Sequence, residues 1–207
     1  MGQKDWEKEE SAHGITEPYP MGGLAALLAG AFYIVEAAAA PFLEDYHWAF
    51  HALDAPAHAL LAVGLVGLYL WQRRQGPFGW LGTVGVILIV TASVLITLGG
   101  LAIVFIDGVL RTEAEVLNDI VHPLELVVMM GAVLFGMATM RVNVLPSGGA
   151  LLIIIGALVY FGIKIVGVGP DWLISVAVAI VGAGWVWLGQ ALWSESGESI
   201  QQPKRVR

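Results

Sequence analysis

His47, His51, Asp54 and His58 follow one another at intervals of four, three and four residues. On a helix that spacing stacks all four side chains on one face. Farther along, Asp119, His122 and Glu125 bring the same mixture of imidazole and carboxylate. Such groups ligate Zn²⁺, Cu²⁺ or iron, and two histidines on facing helices clamp a bis-imidazole haem. They also relay protons. The candidate metal ligands are His51, Asp54, His58, His122 and Glu125, and the candidate cofactor is a haem or a divalent metal ion. Glu36 and Lys164 are candidate polar partners, with Lys164 either snorkelling to the surface or pairing with Glu36 or Glu125.

A plainer reading competes. Pro56 and Pro123 suit the first turn of a helix, where a missing N–H costs nothing. Asp54 would then be a near-terminal cap, and His47 and His51 would fall into a connection, off the shared face. Three readings stay open at this point: polar packing at the rim of a bundle, a metal or haem site, and a proton or solute path. The expectation is that His58 and His122 face each other across the interior, since neither gains by facing lipid.

The elements that carry these residues are long apolar runs. The chain has 207 residues, 57% hydrophobic and 13% charged, with a mean hydropathy of +0.77. A soluble domain carries about 25% charged residues. A helix that crosses a hydrocarbon core of about 30 Å needs about 20 apolar residues, and the sequence offers six such spans, at 21–42, 50–71, 80–106, 120–140, 148–167 and 172–193. Residues 1–20 form an acidic tail and 194–207 a second tail. The fold class is all-α, a six-helix membrane bundle in one domain, with the lipid bilayer as its partner and either a membrane-protein partner or homo-oligomerisation left open. Residues 1–40 are read as a tail and a retained first span, because the 20 residues before the apolar run are acidic where a signal peptide is basic.

Orientation follows from the basic residues. With a cytoplasmic amino terminus, Lys4, Lys8, Arg73, Arg74, Arg141, Lys204, Arg205 and Arg207 all face inward, leaving Arg111 and Lys164 outside. Both termini are therefore expected in the cytoplasm of a cell-membrane protein. The ionisable residues of the spans then cluster in the outer half. A charge at mid-bilayer costs about 2.5–3.5 kcal/mol, so such residues pair, line a wet cavity or snorkel. Val109, Leu110, Val116 and Leu117 predict a short amphipathic helix in the loop Asp107–Asp119 or a lengthened fourth span, with Thr112–Glu115 as a capping box. Gly149 with Gly156, and Gly182 with Gly189, are seven apart and mark faces for close helix approach.

Several functions are excluded or unsupported. The chain has no cysteine, which rules out disulfides, thiolate metal sites and cysteine nucleophiles. The acidic balance, −7 overall, argues against nucleic acid. No G-x-x-x-x-G-K-[ST] loop, G-x-S-x-G elbow or H-E-x-x-H helix is present. Ser93 and Ser175 lack any neighbouring histidine motif, so the reading leans away from an enzyme.

The passage Met140-Arg-Val-Asn-Val-Leu-Pro-Ser-Gly-Gly-Ala-Leu-Leu-Ile-Ile-Ile-Gly156 is similar to the R-x-x-x-LP-x-x-x-x-LL-x-x-x-G passage of a group of small prokaryotic multi-spanning membrane proteins. Gly184-Trp-Val-Trp-Leu-Gly-Gln-Ala-Leu-Trp193 resembles their closing helix, and Gly64–Trp71 with Trp80-Leu-Gly fits their second and third spans. The resemblance implies six helices. It carries no activity and no site residues, so the expected role is a multi-pass membrane protein, non-enzymatic or an accessory subunit. A metal- or haem-binding redox protein and a small proton-coupled transporter are the alternatives.

Overall fold

The computed structural model describes residues 19–43, 47–110, 115–167, 170 and 172–201. Six long helices account for nearly all of them: α1 (Tyr19–Ala39), α2 (His47–Gln75), α3 (Gly79–Ile103), α4 (Glu115–Val142), α5 (Ser147–Val166) and α6 (Trp172–Gln201). All six are long and apolar enough to cross a membrane. A 3₁₀ turn, Ala40–Phe42, closes α1, and a π-helical stretch, Val104–Val109, prolongs α3. Asp107 lies in that stretch, so the loop expected from Asp107 begins as helix. The predicted capping box at Thr112–Glu115 lies outside the described residues except for the backbone of Glu115, which opens α4 as a lengthened fourth span would require.

Short turns fix the order of the helices. Gly79, with φ of +73°, turns the chain into α3, and Asn143 and Gly167 take left-handed conformations after α4 and α5. At Gly167 the backbone N–H bonds back to the Ile163 carbonyl, an αL cap that a side chain would strain. Each helix packs on its neighbours in sequence, and α1 closes the ring against α6. Six alternating helices bring the start of α1 and the end of α6 to one end of the bundle. We call this the terminal end and the opposite one the distal end.

Lipid tails are as apolar as leucine, so helices in a bilayer associate through close packing rather than the hydrophobic effect. Small residues provide it here. A Cβ on Gly182 would lie 2.7 Å from the Gly30 carbonyl oxygen, and one on Gly189 would lie 2.6 Å from that of Gly23. Gly149 and Gly156 face α6 in the same way, meeting Leu188 and Val181. Both glycine pairs singled out in the sequence thus lie at helix seams.

Inside the ring, the half nearer the terminal end is filled. Leu61, Leu65 and Leu68 of α2 join Phe135, Ile153, Trp185, Leu188 and Leu192, all fully buried. Tyr69, Phe78, Phe135 and Trp185 form a chain of ring contacts at centroid separations of 5.5–5.7 Å. Outward, Val63, Ile87, Leu98 and Leu158 are exposed, as a lipid-facing belt requires. Trp80 and Trp193 stand exposed toward the terminal end, Trp48 and Trp172 toward the distal end, where aromatic rings favour the interface. At the terminal end the Arg74 guanidinium lies 4.9 Å from the Tyr19 ring centroid.

Candidate functional site: a polar cavity in the distal half

The helix α2 starts at His47 and runs through Pro56 without interruption. Asp54 is therefore one turn and more inside the helix, not a cap, and the first-turn reading of Pro56 gives way. Pro56 has no N–H for the Ala52 carbonyl; spanning helices tolerate this where neighbours re-satisfy the backbone. One turn along, the Thr97 hydroxyl of α3 lies 3.3 Å from the Ala55 carbonyl oxygen and 2.8 Å from that of Ser93, tying α3 to the bend. Because the helix continues, His51, Asp54 and His58 do share one face. Each is 3% exposed. The side chain of His47 lies outside the described residues.

His58 is the centre of a buried polar network. Its Nε2 lies 3.2 Å from Asp54 Oδ1, and its Nδ1 lies 3.2 Å from the Ser93 hydroxyl. The Tyr33 hydroxyl sits at the ring edge between the two nitrogens, 3.1 Å from Nδ1 and 3.3 Å from Nε2. With Nε2–H donating to the carboxylate, Nδ1 accepts from Ser93 or Tyr33. The Tyr33 and His58 rings meet edge to face at 5.4 Å. Burial of these groups is offset only if their bonds are made, and here three helices supply them.

Ser93, His58 and Asp54 are the residue types of a nucleophilic triad, but their placement does not fit one. Ser93 is fully buried and does not line the cavity described below, so no scissile bond reaches it. The serine anchors the imidazole.

On the other side, Tyr160 of α5 donates its hydroxyl to Glu125 of α4. The Lys164 ammonium stands 5.9 Å from the Tyr160 ring centroid and, among the described residues, makes no ion pair with either expected carboxylate. Between these walls lies a cavity of about 120 Å³. Glu36, Asp54, His58, His122, Glu125 and Lys164 all line it, with Tyr33, Phe50 and Tyr160, and α6 closes it with the apolar Ile174 and Val178. Six of the seven residues singled out in the sequence converge here. His51 does not line it; it packs edge-on against Phe50 at 5.7 Å. His58 and His122 face the same cavity, His58 deep in its wall and His122 exposed.

Two acceptors in this wall are incomplete. Among the described residues, Glu36, 6% exposed, and Asp54 each keep one buried carboxyl oxygen, Oε2 and Oδ2, with no hydrogen-bond partner. An unsatisfied buried acceptor costs about 1–3 kcal/mol.

As arranged, the described residues form no group of three or more His, Asp or Glu able to hold one metal ion. Both nitrogens of His58 already have protein partners, and a cavity of about 120 Å³ is well below the roughly 300–1,000 Å³ of cofactor-sized pockets. Tyr33, Ser93 and Tyr160 are the site residues that sequence reasoning missed. The one signal for them was a hydroxyl at a position on an apolar span, which reads equally as packing.

No protein-family model matches the chain, and no curated protein and no solved structure is significantly similar to it.

Proposed function

We propose that this chain is a non-enzymatic, multi-pass protein of the cell membrane whose distal cavity takes up and releases protons in step with a small solute. The observation that carries the reading is that Glu36 and Asp54, each with a buried carboxyl oxygen unpartnered among the described residues, line one polar cavity. A proton, or the donor of a bound solute, completes each of them. The Asp54–His58 pair, continued by Tyr33, gives a proton several exchangeable positions within hydrogen-bond reach. Across the cavity, Glu125 with Tyr160 offers a second set.

The basic residues support an orientation. Arg73, Arg74 and Arg141 lie at the terminal end. The positive-inside rule then puts both termini in the cytoplasm and the cavity in the outer half of the bilayer.

The test is a pH-difference infrared spectrum of the full chain in lipid nanodiscs. The expected result is a carbonyl band of a protonated, buried carboxyl group that appears and vanishes with pH, and that Glu36→Gln removes or shifts. A spectrum with no titrating buried carboxyl overturns the reading and leaves the cavity as polar packing. The groups that face Glu36 and Asp54 across the cavity, and so shape that titration, are Tyr33 on α1, His58 on α2, His122 and Glu125 on α4, and Tyr160 and Lys164 on α5.

A further inference from the structure

The cavity wall also specifies the chemistry of an occupant. Three carboxyl groups, Glu36, Asp54 and Glu125, face it, against a single lysine or arginine, Lys164. Among the described residues, buried Glu36 Oε2 and Asp54 Oδ2 accept no hydrogen bond. Two open acceptors call for an occupant with at least two N–H or O–H donors, and the acidic balance favours a positive charge. The rest of the wall is His58 and His122 together with aromatic and aliphatic side chains. Ring faces attract cations, ammonium groups included, and Lys164 provides an internal example: its own ammonium rests 5.9 Å from the Tyr160 centroid. Ile174 and Val178 on α6 offer an apolar surface that neither water nor a bare metal ion uses. A volume of about 120 Å³ admits only a few heavy atoms.

We infer that the distal cavity is a binding site for a small primary alkylammonium ion, with its N–H donors on the carboxyl groups of Glu36 and Asp54 and its short alkyl group toward α6. The ligand class rests on the geometry of the wall. Its coupling to protons rests on the function proposed above: a neutral carboxylic acid releases its proton to water as the ammonium enters, leaving a carboxylate beside the cation and conserving charge.

The probe is ethylammonium chloride, titrated into the full chain in nanodiscs by calorimetry, with a pH indicator in weakly buffered medium. Saturable binding is expected, with one or more protons released. Tetraethylammonium, too large and without N–H donors, is expected to give none, as is potassium chloride at the same ionic strength. Glu36→Gln and Asp54→Asn, each verified as a folded, monodisperse protein, are expected to weaken binding at least tenfold. The absence of saturable ethylammonium binding overturns the inference. So does equal binding of tetraethylammonium, or unchanged affinity in both variants. Binding without proton release removes the exchange reading and leaves the ligand assignment. A titrating carboxyl band with no ethylammonium binding does the reverse.

Discussion

Along α1, Gly23 and Gly30 lay the helix backbone against α6, whereas less than two turns beyond Gly30 the same helix presents Glu36 to a cavity. In the seam, Gly182 and Gly189 approach so closely that an added Cβ would meet a carbonyl oxygen at 2.7 and 2.6 Å. At Glu36 a carboxyl oxygen is left with no hydrogen-bond partner among the described residues. One region is packed to the limit and the other is left incomplete, within a single helix. The contrast separates what holds this bundle together from the site of its proposed function. Backbone-to-backbone contact stabilises helices in lipid, while an open buried acceptor costs stability and is retained where something else fills it.

Mutations can break or sharpen this contrast. The largest effect is expected in the seam: Gly182→Val forces a branched side chain onto the Gly30 backbone and should destabilise by about 3 kcal/mol, measured by detergent-driven unfolding. Gly162→Ala on α5 is its control. A Cβ there meets nothing within 4 Å, so helix propensity alone should stabilise by about 0.5–1 kcal/mol. Next comes His58→Leu, which strips Asp54, Tyr33 and Ser93 of their shared partner at once and should cost about 2 kcal/mol in the same assay. A neutral result would show that the network contributes little to the fold.

Glu36→Gln is expected to leave stability within about 1 kcal/mol of the parent, because it removes no bond made inside the protein. Its signature is loss of the carboxyl band and of ammonium binding. A strong destabilisation would place Glu36 with the seam, as a structural residue. The smallest effect is expected at Leu98, which is 61% exposed on the lipid-facing belt. Leu98→Ala exchanges one apolar contact for another with lipid and should change stability by no more than about 0.5 kcal/mol.

Much of this was legible in the chain, and the reasons for the rest are physical. Six apolar runs required six helices, whereas the closure of α1 on α6 into a ring was not readable from them. The spacing of His51, Asp54 and His58 gave their shared face, because helical periodicity is local. The start of α2 was harder to read. Pro56 resembles a first-turn residue, yet α2 begins two turns earlier, at His47, and runs through it, which no local pattern reports. Tyr33, Ser93 and Tyr160 were invisible for a related reason. Their partners lie 25, 35 and 35 residues away, and they meet only because the helix crossings bring them together. One such crossing is Gly64 of α2 seated against Ala26 of α1. The same crossings place His51 off the cavity although it shares the face of Asp54 and His58.

If the distal cavity takes up a solute as proposed, it is reached from one side of the membrane while the seam is sealed, and this can be read directly, because the chain contains no cysteine and each introduced thiol is the only one. Val178→Cys lines the cavity on α6, and Ala29→Cys is fully buried on α1. In sealed vesicles with a known orientation, a small charged thiol reagent that cannot cross the membrane is the probe. The account predicts rapid labelling of Val178→Cys from the face opposite the termini, slowed by ethylammonium, and no labelling of Ala29→Cys. A silent Val178→Cys, or equal labelling at both positions, would contradict it.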